Sequence, residues 1–316
     1  MSRRGWVLFG ALCVIWGIPY LLIKVAVGEL APATLVLSRT ALGAVLLLPI
    51  AAAGGRMRGL RAAWLPLAGY TVVEICGPWL LLGFAETRLS SSMTGLLIAA
   101  VPLVGAVLAR WTGERERLGW LRIAGLLVGL AGVAALVGLD VHAVDATAVA
   151  ALGLVVVGYA AGPMILARRL AHLPSLGVVA ASLALAAVVN LPLGVAQAPD
   201  HWPSARVLAA VAVLAAVCTA LAFVLFLRLV AEVGPPRATV ITYVNPAVAI
   251  LLGVLLLDEP FTPAVGIGFV LVLTGSVLAT SSHHRARSAP TATRARPRPV
   301  PVEPANPLAT CPVPEP

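Results

Sequence analysis

Ten times along the chain, a run of about 20 mostly apolar residues is followed by a short polar turn. A run of that length crosses a bilayer as a helix, because each residue adds about 1.5 Å and the hydrocarbon is about 30 Å thick. The predicted spans are about 6–27, 33–53, 64–84, 92–109, 119–139, 147–167, 175–195, 205–227, 238–257 and 262–281. No soluble-sized domain fits between them, and loops this short make consecutive helices antiparallel neighbours. Of 316 residues, 60% are hydrophobic and only 11% charged, against roughly a quarter charged in a soluble domain. The expectation is an all-α polytopic membrane protein with ten transmembrane helices. Arg3 and Arg4 before an apolar run look like a secretory leader. The run continues to about Val27, too long for one, so it is read as a retained first helix.

The net charge of +9 does not point to nucleic acid, since no basic face is interleaved with aromatics. It points to topology. With the N-terminus inside, the cytoplasmic side collects Arg3, Arg4, Arg56, Arg58, Arg61, Arg110, Arg115, Arg117, Arg168, Arg169, Arg228 and Arg237. The outer side keeps Lys24, Arg39, Arg88 and Arg206 with the acids Glu29, Glu86, Asp140, Asp145, Asp200, Asp258 and Glu259. That bias follows the positive-inside rule and places both termini in the cytoplasm of a cell that carries the protein in its inner or plasma membrane. Residues 282–316 are proline, alanine and arginine with almost no aromatics, a composition that cannot fold alone. They are read as a disordered cytoplasmic tail. Cys13, Cys76 and Cys218 lie in apolar runs and Cys311 in the tail, with no metal spacing. His142, His172, His201, His283 and His284 fall in loops or tail, so no metal site is expected, and without a phosphate-binding glycine loop no nucleotide cofactor is expected either.

The stretch from Leu89 to Val137 recurs from Val233 to Thr280: an apolar run with a proline, a short acidic turn, a second apolar run. Pro102 pairs with Pro246, Glu114 with Asp258 or Glu259, and Gly125 and Gly132 with Gly268 and Gly275. Five spans per copy is an odd number, so the second copy must enter from the opposite side. The result is an inverted repeat, residues 1–140 and 146–281, which in membrane proteins is the usual signature of alternating access. The glycines of the fifth span, Gly125, Gly129 and Gly132, let another helix approach closely. They serve either packing inside the fold or a homodimer face, and monomer and homodimer both remain open.

Trp16-Gly17, Lys24, Pro32 and Arg39 in the first two spans, with Pro102 and Glu114 and again Pro246 and Glu259 in the paired hairpins, resemble the EamA family of the drug/metabolite transporter superfamily. The resemblance covers nearly everything from Trp6 to Thr280. It implies ten helices in two inverted five-helix repeats and secondary carriage of small metabolites, often outward. In the second half Tyr159 stands about where Trp16 would recur, and Arg168-Arg169 near the equivalent of Lys24.

Glu74 is the most informative single residue. It sits near the centre of the third span, where a charge costs at least a few kcal/mol, so it must face the bundle interior or water, or be neutral. Pro78, four residues on, cannot donate to its carbonyl. Glu74 is therefore a candidate proton- or cation-binding group, with interhelical packing as the alternative. Asn245 and Tyr243 stand near mid-depth of the ninth span just before Pro246, as substrate-hydrogen-bonding groups or as a lock between helices. Lys24, the only lysine, and Arg39 stand near the outer ends of the first two helices. They attract anionic substrate groups, pair with Glu29 or Glu86, or snorkel to headgroups. Trp16 precedes a break at Pro19, Trp79 and Tyr70 flank Glu74, and Tyr159 is mid-depth in the sixth span. Aromatics so placed either cradle an organic or cationic substrate or fill the core. Asn190 and Thr219 are weaker candidates of the same kind. Pro19, Pro78, Pro102 and Pro246 mark candidate hinges.

These features favour a secondary transporter of small organic solutes, with the solute and lipid as partners and proton exchange as a drive. An intramembrane enzyme would need a nucleophile–base pair or paired aspartates at shared depth, and none is visible. A non-transporting scaffold would give Glu74 no role.

Overall fold

The computed structural model describes residues 2–111, 120–138, 145–233 and 238–280. Glu114, Asp140, His142, Arg115, Arg117, Arg237 and the tail from 282 lie outside them. Among the described residues all regular structure is helical, in ten rods: α1 (Arg3–Ala26), α2 (Pro32–Ala53), α3 (Trp64–Glu86), α4 (Ser91–Trp111), α5 (Trp120–Gly138), α6 (Ala146–Leu170), α7 (Ser175–Ala196), α8 (Ala205–Val233), α9 (Thr239–Tyr243 continuing as Asn245–Leu257) and α10 (Pro263–Thr280). Seven of them, α1–α4 and α6–α8, are long and apolar enough to cross a membrane. The others carry shorter apolar helices, Ile123–Ala135, Ile241–Leu257 and Pro263–Leu278. Two ends differ from the sequence reading. The eighth helix runs on to Val233 because Leu229, Val230 and Val233 keep packing against Leu8 and Leu12 of α1. The third runs on to Glu86 because Leu82 and Ala85 extend its buried face.

Several rods are interrupted, four of them at a proline; α6 ends in a wide π turn, Leu166–Leu170, and α8 contains another, Ala216–Leu221, with no proline beside it. In α1 the helix stops at Ile15 and restarts at Pro19. In α3 a wide π turn at Thr71–Cys76 precedes the piece Gly77–Glu86, with Pro78 in its first turn. In α4 the pieces are Ser91–Ile98 and Val101–Trp111, the second beginning at Pro102's neighbour. In α9 a tight 3-10 turn leads into Asn245–Leu257, with Pro246 in the first turn. Proline is favourable at the start of a helical piece, where its missing N–H would have had no partner. All four candidate hinge prolines occupy such starts.

Helices of the first half pack on those of the second: α2 on α7, α3 on α6, α4 on α9, α5 on α10 and α1 on α8. The glycine stripe of α5 is taken up inside the chain. A Cβ on Gly275 of α10 would lie 2.6 Å from Gly125 O, and one on Gly132 2.7 Å from the Val272 backbone N. The outward faces carry Val45, Leu46, Leu154, Val188, Val195, Leu255 and Val270, all exposed, as lipid-facing helices do. Exposed Trp6, Trp64, Trp111 and Trp120 mark one end of the bundle, consistent with an interfacial aromatic belt. That end is also the arginine-rich one. The opposite end, with Glu29, Glu86, Asp145 and Glu259, is called the acidic end below.

Candidate functional site

The π turn of α3 is where backbone and chemistry meet. Pro78 cannot donate to the carbonyl four residues back and its ring crowds that carbonyl. The chain takes one wide turn ahead of it, with the Gly77 N–H bonding Val72 O. Thr71 anchors the start by donating Oγ1 to Leu67 O at 2.8 Å. Wide turns of this kind recur at functional sites. Here the turn carries Glu74 toward α6, where two glycines one turn apart make room. A Cβ at Gly158 would come within 2.6 Å of Val73 O and 2.7 Å of Pro78 Cγ, and one at Gly162 would overlap the Glu74 carboxyl. Glu74 Oε2 is sealed from solvent and has no hydrogen-bond partner.

Arg39 of α2 is a buried charge beside it. The sequence reading put it near the outer end of its helix, with snorkelling as one option. The structure corrects this, since the residue is only 8% exposed and its guanidinium lies over the Trp79 ring, 3.7 Å from the centroid. Its Nε donates to Thr219 Oγ1 at 2.9 Å. Thr219 stands in a π turn, Ala216–Leu221 of α8, and donates its own hydroxyl to Leu214 O at 2.8 Å. Cation–π contact and one neutral hydrogen bond hold the guanidinium. Among the described residues no ion pair joins it to an acid. Tyr159 of α6 makes a polar contact with Trp79 and lies within electrostatic range of Arg39 and Glu74, and Tyr20 of α1 lies within range of Arg39 and Tyr159.

The structure thus brings Glu74, Arg39, Trp79 and Tyr159 together, with Thr219 and Tyr20 beside them. Other candidates go elsewhere. Trp16 packs on Phe223 and Phe226 of α8, ring centroids 6.1 and 5.0 Å away. The Asn245 amide nitrogen, oriented toward carbonyls, lies 2.9 Å from Ile241 O and 3.2 Å from Cys13 O, bridging α9 to α1. Tyr243 donates its hydroxyl to Ser276 O of α10 at 3.2 Å. Asn190 donates to Ala186 O at 2.8 Å within α7. Lys24 neither snorkels nor forms an ion pair with Glu29 or Glu86. Its Nζ donates to two main-chain oxygens, Glu86 O and Leu89 O, both at 2.7 Å.

Glu86 itself was expected among the outer loop acids. It is instead 0% exposed, with neither carboxylate oxygen hydrogen-bonded. No hydropathy signal reveals this, because the residue lies at a helix end beside Thr87 and Arg88. Glycines 158 and 162 were also missed, although their four-residue spacing was readable as a close-packing motif.

Polar clasps close the acidic end. Glu259, placed after the left-handed residue Asp258 (φ 53°), caps the start of α4: it accepts from Ser91 N at 2.7 Å, Ser92 N at 2.9 Å and Ser92 Oγ at 2.5 Å. Glu29 accepts from Ser204 N and Ser204 Oγ, each at 2.6 Å, at the start of α8. The Ser204 hydroxyl, then its N–H, hold the Glu29 carboxyl below its usual range. Asp145 caps α6 through Thr147 and Ala148 and pairs with Arg88 Nε at 3.0 Å. Its carboxyl is held low chiefly by the Thr147 hydroxyl. A crevice of about 440 Å³ at this end is lined by Thr34, Ser38, His201, Trp202 and Val211, away from Arg39 and Glu74. Among the described residues no three His, Cys, Asp or Glu gather as a metal site.

The model of the EamA-like transporter family matches residues 3–138 and again 146–281. The chain belongs to the EamA-like transporter family. It is accordingly a multi-pass membrane protein built from two copies of one family unit. A solved structure described only as a crystal structure of a protein is similar to this EamA-like chain at TM-score 0.64 and 21% identity, over 89% of this chain and 97% of the other. That likeness concerns the fold. No curated protein matches the sequence. In this EamA-like chain the first family unit supplies the π turn Thr71–Cys76 and the second the π turns Leu166–Leu170 and Ala216–Leu221, and both Arg39 and Glu74 come from the first unit.

Proposed function

We infer that this protein is a secondary transporter that moves small organic solutes out across the inner or plasma membrane by alternating access, with proton exchange at Glu74. The observation that carries the reading is a pair of oppositely signed groups inside the bundle, Arg39 buried against the π turn of α8 and Glu74 half-buried in the π turn of α3 with one oxygen sealed from solvent. Arg39 is a guanidinium with no acidic partner among the described residues, and Glu74 is a carboxyl with an unpartnered oxygen. Keeping such groups inside a membrane protein is costly, and a solute with matching polar groups would offset that cost. Trp79, Tyr159 and Tyr20 supply flat apolar walls for its carbon skeleton. Membership of a transporter family supports the reading, as do the opposite senses in which α1 and α6 leave the basic and acidic ends, the arrangement of an inverted repeat about a central site. The ten rods are read as ten spans with both termini cytoplasmic. Pieces starting at Pro19, Pro78, Pro102 and Pro246 are the hinges, and Asn245 and Tyr243 brace the neighbouring helices.

The test begins with a deletion strain and an overexpressing strain grown across amino acids, nucleosides and antibiotics, followed by flux of the responding solute in proteoliposomes at several pH values. The expected outcome is protection by overexpression against one chemical class and a flux whose pH dependence disappears in Glu74→Gln. Wild-type flux with unchanged pH dependence in that variant refutes the proton role. No flux for any compound refutes the transporter.

A further inference from the structure

Glu86 is not used by the site just described, and it is the most anomalous side chain in the molecule. It ends α3 at the acidic end, fully buried, with both carboxyl oxygens unpartnered. The hydroxyls of Ser91 and Thr94, one turn apart at the start of α4, are likewise buried and unpartnered. The nearest cation turns away. Lys24 Nζ sits 2.7 Å from Glu86's own backbone oxygen and 2.7 Å from Leu89 O, yet makes no ion pair with the Glu86 carboxyl. An ionised carboxylate next to a free ammonium, in a dry place, would capture it. The ammonium instead satisfies the Glu86 carbonyl at the negative end of α3 and the Leu89 carbonyl just beyond it. This is the pattern of a neutral acid.

We propose that Glu86 is a proton-binding site that couples closure of the acidic end to uptake of one proton. It rests on the transporter reading above and adds a second protonatable group, at a gate and not at the central site. In the closed form seen here the carboxyl holds its proton and Lys24 ties α1 to the end of α3. When α3 and α4 part from α1 and the α9–α10 turn, water reaches the carboxyl. The O–H bond breaks, the proton passes to that water, and the carboxylate becomes free to take Lys24 from its two carbonyls. The groups within electrostatic range of Glu86 are Lys24 and Tyr20 from α1, Tyr159 from α6, and Glu259 from the turn after α9. Lys24 favours the carboxylate and Glu259 disfavours it. Closure binds a proton, so acid favours the closed form and alkali the open one.

The full-length protein in lipid nanodiscs provides two readouts that need no solute. Infrared spectra near neutral pH should contain a protonated-carboxyl stretch that Glu86→Gln lacks and Glu74→Gln keeps. Amide exchange over residues 90–97, compared with Glu86→Gln at the same pH, should quicken by about tenfold per pH unit while that stretch persists, the slope for a single proton, and level off as the stretch disappears. Lys24→Met should move the disappearance to higher pH, and it tests the site even where Glu86→Gln folds poorly. A wild-type spectrum unchanged by Glu86→Gln overturns the proposal. So does an exchange ratio independent of pH, an unshifted titration in Lys24→Met, or a response to sodium replaced by N-methylglucamine in place of a response to pH. Because no solute enters these measurements, the site can fail while flux persists, and flux can fail while the site stands.

Discussion

Two of the three π turns among the described residues, Thr71–Cys76 in α3 and Ala216–Leu221 in α8, are the same backbone device filled in two ways. The fourth residue of each points to the centre: Glu74 in the first, Thr219 in the second. Glu74 stands ahead of a proline that withholds a backbone donor, and one of its oxygens is unpartnered. Thr219 is fully engaged, donating to Leu214 O and accepting from Arg39. The same contrast separates α2 from α7. Arg39 is the eighth residue of Pro32–Ala53 and Ser182 the eighth of Ser175–Ala196, and Ser182 is buried and neutral. A duplicated scaffold has therefore kept its geometry and divided its chemistry. The first unit carries the charges, and the second shapes the space and holds them still.

The sharpest way to break that comparison is Arg39→Met. It keeps bulk over Trp79 and removes the cation that donates to Thr219 in the π turn of α8. Losing a buried, hydrogen-bonded charge is worth about 2–5 kcal/mol, so flux of the solute should fall by about thirtyfold or more. Arg39→Lys should not recover it, because an ammonium cannot stack on the indole and reach Thr219 in one planar geometry. Flux in Arg39→Met within twofold of wild type would leave the charge a packing feature.

Gly162 tests whether the first π turn needs its cradle. A leucine there must displace the Glu74 carboxyl or the helix behind it, at about 2–3 kcal/mol for overpacking. The thermal midpoint in detergent should fall clearly. Gly153→Ala on the same helix is the control, since a Cβ there meets nothing within 4 Å, and it should be neutral or slightly stabilising. Equal behaviour of the two variants would show that α6 yields freely and that Glu74 is not held. A smaller effect is expected from Thr219→Val, which leaves Arg39 Nε without its partner at about 1–2 kcal/mol. Thr219→Ser should restore the midpoint.

The rods were readable from hydropathy because apolar length is a one-dimensional signal, and Pro19, Pro78, Pro102 and Pro246 announced four of the breaks because each removes a donor at a fixed place, whereas Pro49, Pro163 and Pro192 sit inside helices. Glu74 stood out as a charge deep in an apolar run, and its freed carbonyl followed from Pro78. What could not be read was lateral. A π turn leaves no mark in composition, so nothing in the sequence said that Thr219 would meet Arg39. Hydropathy placed Arg39 by its distance from Pro32 along the helix, but its depth is fixed by what surrounds it, here Trp79 and Thr219. Glu86 was hidden for the opposite reason. It lies where a loop acid is ordinary, and only the roof formed by Lys24 and the start of α4 makes it a core residue. Trp16, Asn245 and Tyr243 have the right depth for the centre and the wrong face.

The division of labour extends to the loops, where it has a pH signature. Glu29, from the first unit, clasps the start of α8 in the second. Its folded carboxyl lies below the ordinary glutamate value of 4.5, because Ser204 donates its hydroxyl and its N–H to the ionised form. The sign follows from linkage. A depressed folded pKa gives stability that is present above 4.5 and is lost as pH falls through the lower folded value. Glu29→Gln should therefore lower the thermal midpoint slightly at neutral pH and not at all in strong acid, whereas Ser204→Ala should keep a deficit in acid, because it also loses the hydroxyl cap on Val207 N–H. The clasp is exposed, so the effect is the smallest of the set. Its value lies in its direction: a Glu29→Gln deficit that grew toward acid would mean that the two units are held at this end by something other than the carboxylate.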